Sequence, residues 1–457
     1  MKNEEKNIDE IISFAKEKGF VFQSSEIYGG LAGVYDFGPL GVELLNNIKK
    51  DWWKANVQKK MNYFGLDSAM FKDPRVWDAS GHTSGFSDPM AECKDCNSRI
   101  RVDKELENIG IDADEKMSEK EINELFFANI GKIKCKKCGG SNFSEAKNFN
   151  LLVKSNLGDF TSKGDKPVYL PGEACQGIYL NYKNVVDSMH PKIPFGIAQI
   201  GKAFRNEISP RNFLFRTREF EQADTQFFVR PEENKEPYEK IKKERWQWYL
   251  DLGLSVKNLL WSQHKNLVFY ASDAWDIEYN FPTYGFDEME GIHDRTDYDL
   301  SQHSKFSGVD LSFNDNGEKF IPWVLETSMG MGRVFLAVLS EAYDKEKIDD
   351  EERRVLRLLS KLAPVKVAIL PLVKKDGLKE EAYKIYEELS EKYNCVFSDT
   401  ATVGKRYRKQ DEIGTPFCVT YDYESKEDNS VTVRERDSMK QERVKIGNLG
   451  DYLNKLI

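Results

Sequence analysis

No stretch of this sequence is long and apolar enough to cross a membrane as a helix, which takes about 18 or more apolar residues in a row. Met1–Asp9 is charged and polar, without the apolar core of a secretory signal or the arginine-rich character of a transit peptide, so a cytoplasmic protein is expected. Basic charge is also short. Lys and Arg total 67 against 76 Asp and Glu, a net charge of −9, which argues against a general electrostatic coat for DNA but leaves room for a local basic patch. Two nucleotide-binding signatures are absent: neither G-x-x-x-x-G-K-[ST] nor G-x-G-x-x-G occurs. Cysteine is scarce and odd in number, seven in all, which argues against a disulfide framework. There is no internal repeat and no low-complexity tract.

The chain does have material for several cores. Its 457 residues exceed what one compact core organises, and 40% are hydrophobic. Helical and strand patterns alternate. Gly41–Val57 reads as an amphipathic helix, with Leu45, Ile48, Trp52 and Ala55 on one face and Pro39 where a helix start tolerates it. Residues 88–147 are rich in Lys, Glu and Asp and bracketed by two C-x-x-C pairs, which suggests an insertion with its own small fold. Residues 197–228 suggest two antiparallel strands joined by the turn chemistry of Ser209-Pro210-Arg211-Asn212. A charged helix is expected over residues 349–361. Beyond it come a strand at 365–371, a helix at 378–393 and strands at 395–397 and 416–420, the pattern of a C-terminal α/β domain.

Two clusters could carry chemistry. Phe204-Arg205-Asn206-Glu207 and Phe215-Arg216-Thr217-Arg218-Glu219-Phe220-Glu221, with Arg211 between them, put four arginines between residues 205 and 218 of a strand pair, where guanidinium groups can clamp phosphate. By pattern alone this reads equally as a surface hairpin of alternating charge. Gly330-Met331-Gly332-Arg333 leads into a helix; two glycines let backbone approach a ligand closely, and a helix N-terminus favours phosphate. Alone, it reads as a tight strand-to-helix turn. Together the two describe an ATP site built from arginines on antiparallel strands and an arginine leading a helix.

Tyr35-Asp36-Phe37-Gly38-Pro39-Leu40-Gly41 resembles motif 1 of the class II aminoacyl-tRNA synthetases, the 204–221 segments resemble motif 2, and the 330–333 turn resembles motif 3. Ser24-Ser25-Glu26-Ile27-Tyr28-Gly29-Gly30 and the stretch from Gly404 to Pro416 are similar to the dimeric-type glycyl-tRNA synthetases, and this likeness covers nearly the whole chain. It implies an α+β fold: a class II antiparallel sheet flanked by helices over residues 1–362, a zinc-ribbon-like insertion at 88–147 within it, and an α/β anticodon-binding domain over 363–457. It also implies a ligase that activates glycine with ATP and Mg²⁺ to glycyl-adenylate, releasing pyrophosphate. The enzyme then transfers glycine to the 3′ end of tRNA(Gly), yielding AMP, and works as a homodimer.

Carried over residue by residue, the likeness makes Arg205, Glu207 and Arg333 the catalytic set. Arg205 meets the α-phosphate, Asn206 and Glu207 the adenine side, Phe215 the adenine ring, and Arg216 and Arg218 the phosphates. Arg333, behind Gly330 and Gly332, holds the γ-phosphate, while Met289 and Glu290 supply the ATP and metal side. For glycine it points to Glu173, with Arg99, Phe220, Glu221, Gln222, Glu326 and Ser328. The chain reads Pro171-Gly172-Glu173-Ala174 where the family reads Arg-Pro-Glu-Thr, keeping the glutamate and losing its neighbours. Cys93, Cys96, Cys135 and Cys138 are four thiolates suited to a tetrahedral structural Zn²⁺. Lys405-Arg406-Tyr407-Arg408-Lys409 is the densest basic run with an aromatic inside; by pattern it is a solvated loop, and by likeness it belongs to an RNA-binding surface. Arg434-Glu435-Arg436-Asp437 reads as further contacts or an exposed strand. A non-catalytic relative would have lost the motif arginines, and a threonine enzyme would use a zinc with an open position, so glycine activation is the reading favoured.

Overall fold

The computed structural model describes residues 6–113, 117–156, 167–208, 213–265, 267, 271–348 and 350–457. Helix α1 (Ile8–Glu17) is capped by Asn7, whose side chain accepts from the Asp9 amide. Helix α2 (Pro39–Trp53) begins on Pro39, where the missing N–H costs nothing, and buries Leu44, Leu45, Ile48 and Trp52. The helix expected over Gly41–Val57 is therefore present, its last turn widening into a π segment at Lys54–Gln58. Strand β1 (Tyr63–Gly65) follows.

The insertion has its own sheet and core. Strands β2 (Ser87–Glu92), β3 (Arg99–Arg101) and β4 (Lys147–Asn150) pair antiparallel in the order β3-β2-β4. Helices α3 (Val102–Asn108) and α4 (Glu119–Asn129) bury Val102, Leu106, Ile122 and Phe126 with them. Ser118 and Glu121 start α4 by capping each other's backbone amides.

Next come α5 (Gln176–Met189), β5 (Phe195–Phe204), β6 (Glu219–Val229), α6 (Lys235–Asp251), β7 (Leu259–Gln263), β8 (Asp273–Phe281), β9 (Gly285–Thr296), α7 (Tyr298–Ser307), β10 (Trp323–Gly330) and α8 (Met331–Ala342). Their strands form one sheet in the order β7-β8-β9-β10-β6-β5-β1, antiparallel except where β1 joins β5. The expected strand pair at 197–228 is β5 and β6; the turn 209–212 lies outside the described residues. Successive side chains point to opposite faces. One face, carrying Ala198, Ala223, Ile292 and Met329, packs on α1, α2, α6 and α8 in the largest apolar core. The other carries Gln199, Gln222, Asp224, Gln226, Glu326 and Ser328.

The charged helix expected over 349–361 is instead a hairpin, β11 (Tyr343–Ile348) and β12 (Glu351–Leu356). Its charges suit a strand pair because Glu346 and Arg353 face each other across it and bind. The C-terminal sheet of β13 (Val367–Pro371), β14 (Cys395–Phe397), β15 (Phe417–Tyr421), β16 (Ser430–Glu435) and β17 (Gln441–Lys445) is mixed, in the order β14-β13-β15-β16-β17. Helices α9 (Leu378–Ser390) and α10 (Val403–Ile413) accompany it.

The basic run 405–409 lies on α10, which is no loop: Thr402 caps it and Gly414 ends it with φ of +84°. Arg406 is buried and donates to the Pro371, Ser398 and Leu372 carbonyls, and the Tyr407 hydroxyl bonds Thr420 at 2.6 Å. Lys405 and Lys409 stay exposed. Arg434 and Arg436 are also buried, so 434–437 is no exposed strand. Asp411, 0% exposed, is the reason. It accepts from Arg434 at 2.8 and 3.0 Å and from Arg353 of β12 at 2.9 Å, while Arg436 donates to the Leu358 and Gly414 carbonyls at 2.8 Å. This clamp ties the C-terminal sheet to the hairpin. Asp411→Ala would leave the buried Arg434 guanidinium without its carboxylate and Arg353 with Glu346 alone, and a loss of about 3–5 kcal/mol in urea unfolding is expected; a change below about 1 kcal/mol would remove the clamp from the account.

Candidate active site

The polar face of the central sheet is read in cross-strand rows. One row runs Gln199, Asp224, Ser328, Gly291, Asp276 from β5 to β8, and the next runs Gln226, Glu326, His293. Above them the loop before α5 brings Glu173, and α5 brings Gln176 and Tyr179.

Glu326 is the most heavily bonded. It accepts from Gln226 at 2.7 Å and from Arg295 at 2.9 Å, and it lies 3.2 Å from His293 Nδ1. Burial opposes its charge, but Arg295 and His293 win and hold its pKa down at about 2. Arg295 is fixed by Asp299 at 2.8 Å, and Tyr179 donates to Gln226 at 2.8 Å. Glu173 is also held low; burial opposes, while His82, 3.4 Å away, and then Arg295 and Arg205 favour the carboxylate.

Asp224 behaves in the opposite way. Burial pushes its carboxyl well above the usual range, with Glu326 adding to the effect, although Ser328 favours the charged form. Both its oxygens and Oε1 of Gln199 are buried acceptors that lack a protein donor within hydrogen-bond distance. The Gln199 amide nitrogen is already given to the Ala174 carbonyl. Gln222 binds the Ala174 amide at 3.0 Å and lies 3.5 Å from the Ser328 hydroxyl. Buried acceptors without donors are costly and uncommon, and they suit a ligand that brings only donors.

Beside this cradle lies a cationic shelf. Arg205 extends over the rings of Phe86 and Phe220, at 5.2 and 5.4 Å, and donates to the Gly172 carbonyl at 3.3 Å. Asn206 is tied by its amide to the Leu151 carbonyl at 2.7 Å. Buried Glu207 accepts from Arg216 at 2.8 Å, and its own carbonyl accepts from Arg218 at 2.8 Å. Arg333 stacks on Phe215 at 4.3 Å and pairs with Glu288 at 3.1 Å. Gly332 allows this closeness: a Cβ there would meet the Leu214 carbonyl oxygen at 3.1 Å. Its partner Gly330, with nothing closer than Arg333 at 3.8 Å, begins α8 at an ordinary negative φ.

Residues 159–342 match the family model described as the tRNA synthetase class II core domain (G, H, P, S and T), and residues 366–456 match the anticodon binding domain. A glycine–tRNA ligase of Treponema denticola is 48% identical over 454 residues, covering 97% of this chain and 96% of that protein. Those of Clostridium acetobutylicum and Borreliella burgdorferi are 48% and 49% identical, covering 99% and 98% of this chain and 99% and 96% of theirs. The chain belongs to the glycine–tRNA ligase family. Its core carries the largely antiparallel seven-stranded sheet, and the anticodon-binding domain follows it in the chain.

Four residues expected at the site of this glycine–tRNA ligase family member lie elsewhere. Glu221 follows Phe220 on β6 and so faces away from Gln222 and Asp224, binding Lys49 of α2 at 2.5 Å. Met289 and Glu290 both turn into the core. A β-bulge opposite Ile277 and Glu278 adds a residue to β9, so Glu288 faces Arg333 while Glu290, 0% exposed, is gripped by Arg245 at 2.7 and 3.1 Å. Arg99 is exposed in the insertion, paired with Glu92 at 3.2 Å, and borders a groove with Glu207 and Arg216. Asp224, Gln199, Arg295 and Glu288 were missed. The signal for Asp224 was the two-residue period of Phe220, Gln222, Asp224 and Gln226 along one strand.

The four cysteines do assemble. Sγ atoms of Cys93 and Cys138, and of Cys96 and Cys135, are 3.6 Å apart, and all four lie within 4.8 Å of one another. Thiolates about 2.3 Å from a tetrahedral zinc stand about 3.7 Å apart, so the donor set fits that ion.

Glu290→Gln should lower stability by about 3 kcal/mol in urea unfolding, because Arg245 loses its buried partner; a variant as stable as the parent would return Glu290 to the ligand side. Glu326 has a folded pKa below its ordinary value of about 4.3. Its stabilisation is complete above that value and is lost as pH falls through about 2. The stability gap between the parent and Glu326→Gln should therefore be widest near pH 7 and narrow from about pH 5 downward; a gap independent of pH would contradict the pairing with Arg295.

Proposed function

We propose that the acceptor-only cradle of Asp224, Gln199, Glu173 and Glu326 binds the ammonium of glycine, and that the protein is a glycine–tRNA ligase using this pocket beside the arginine shelf. The unpaired buried oxygens of Asp224 and Gln199 carry this reading. An ammonium supplies donors only, and its charge draws Asp224 back to its ionised form. Ser328 and Gln222 border the α-carbon. Rejecting a larger side chain by clash needs no second sieve, whereas one extra methyl in a tolerant pocket would discriminate by only about 1–3 kcal/mol.

On the other side, ATP lies along Arg205, Arg216, Arg218 and Arg333, with its adenine at Phe215 and the Glu207 turn. The glycine carboxylate attacks the α-phosphorus, pyrophosphate leaves, and Arg205 stabilises the charge that develops on the phosphoryl oxygens. Positioning and fixed cations do this work without a dedicated acid or base. Magnesium, which neutralises phosphate charge when bound, has an oxygen ligand available in Glu288. The terminal ribose hydroxyl of tRNA(Gly) then takes the glycyl group and AMP departs. Cys93, Cys96, Cys135 and Cys138 hold a structural zinc that stabilises the insertion. The domains run over 1–362 and 363–457 with the insertion at 88–147. Two copies of the chain pair through the segment around Pro39, and the enzyme works in the cytoplasm beside its tRNA.

Pyrophosphate exchange into ATP, run with each of the twenty amino acids, should respond to glycine alone. Response to another amino acid would overturn the pocket, and no response from folded protein would overturn the enzyme. Arg205→Ala should slow exchange by on the order of 100-fold or more. Asp224→Asn should raise the glycine concentration needed for half-maximal exchange at least tenfold while leaving that for ATP nearly unchanged; equal effects on both would move Asp224 out of the cradle.

A further inference from the structure

Two of the chain's five histidines meet an aspartate at the β7–β9 side of the polar face of the sheet. His264, just past the end of β7, Asp276 of β8 and His293 of β9 place one ligand atom each within 4.8 Å of one another. We propose that His264, Asp276 and His293 form a binding site for a divalent first-row transition ion of the zinc class, separate from the four cysteines.

The three side chains are held in place before any ion arrives. The His264 amide donates to the Ala274 carbonyl at 3.0 Å, which continues the β7–β8 ladder and fixes where the imidazole begins. Its Nε2 lies 2.8 Å from Asp276 Oδ2. Asp276 is directly opposite Gly291 in the β8–β9 register, and His293 follows two residues later on the same face. Gly291 is what admits the ring: a Cβ there would stand 2.9 Å from His293 Nε2 and 3.6 Å from Asp276 Oδ1. The other ring nitrogen of His293, Nδ1, is 3.2 Å from Glu326. A carboxylate that accepts a hydrogen bond from Nδ1–H leaves Nε2 with its lone pair toward Asp276, the arrangement that orients metal-bound histidines.

Donor chemistry selects the ion. Two imidazoles and one carboxylate suit zinc, cobalt, manganese or iron in the divalent state, whereas magnesium prefers an all-oxygen shell, so this is not the site for the ion of ATP. Nitrogen and oxygen ligands about 2.1 Å from such an ion stand about 3.4 Å apart, and side-chain rotations that open the His264–Asp276 pair slightly and close the widest separation by up to roughly 1.4 Å reach that spacing. The ion replaces the His264–Asp276 hydrogen bond with two coordinate bonds, and His264 keeps its proton on Nδ1. Three protein ligands leave positions for water or for a substrate oxygen. Glu288 and Glu326 are the nearby acids, and the bond from His293 to Glu326 links this ion to the amino-acid pocket.

The test uses the full-length protein with its cysteine site filled by zinc, titrated with cobalt(II) and followed by absorption and by metal content after dialysis. One further equivalent per chain is expected, with the weak visible bands of nitrogen and oxygen ligation. His264→Ala should weaken it at least tenfold with zinc content unchanged, and Asp276→Asn should do the same as an independent variant. No second equivalent, intense thiolate bands, or cobalt binding as tight in both variants as in the parent would each overturn the proposal. None of these readouts depends on glycine activation.

Discussion

The seven-stranded sheet has to bury both of its faces while keeping one of them charged, and most of the molecule answers to that constraint. Its apolar face is covered by four helices that pack mainly through apolar side chains. Its other face carries buried carboxylates and amides, so each must find a partner or be left for a ligand. Glu326 found Arg295, Gln226 and His293; Asp224 found none inside hydrogen-bond distance. The contrast between two acids on neighbouring rows, one driven down in pKa and the other up, comes from that difference in partners.

What was legible in the sequence was what depends on local spacing. Pro39 before an apolar row at helical intervals announces α2, and Gly332 with Arg333 announces a close turn into α8, since each signal lies within a few residues of its effect. The motif arginines were also legible, because Arg205, Arg216, Arg218 and Arg333 gather around one shelf. What needed the fold was facing. Glu221 and Glu290 are acids in the right segments, yet one residue of register or one bulge sends each to the apolar side, where Lys49 and Arg245 receive them. Asp224, two residues from Gln222, is ordinary by composition and becomes special only between Gln199 and Ser328.

Composition misled most in the C-terminal part. Arg406, Tyr407, Arg434 and Arg436 look like a surface for RNA, yet the first turns inward to donate to backbone carbonyls and the last two are drawn inward around Asp411 and the Gly414 turn. The charged stretch after residue 350 looked helical because its residues favour helices; cross-strand pairing of Glu346 with Arg353, and the reach of Arg353 to Asp411, outweigh that preference. Lys405 and Lys409 remain the exposed cations of the basic run.

The join at Asp411 differs in kind from an apolar interface. Greasy surfaces tolerate sliding, because dispersion has little direction; a planar guanidinium meeting a carboxylate by two bonds fixes rotation as well as distance. Held this way, α10 keeps a set bearing relative to the β11–β12 hairpin. For a protein that joins a class II synthetase core to an anticodon-binding domain, that makes the clamp a ruler, with its length written in three arginines and one aspartate.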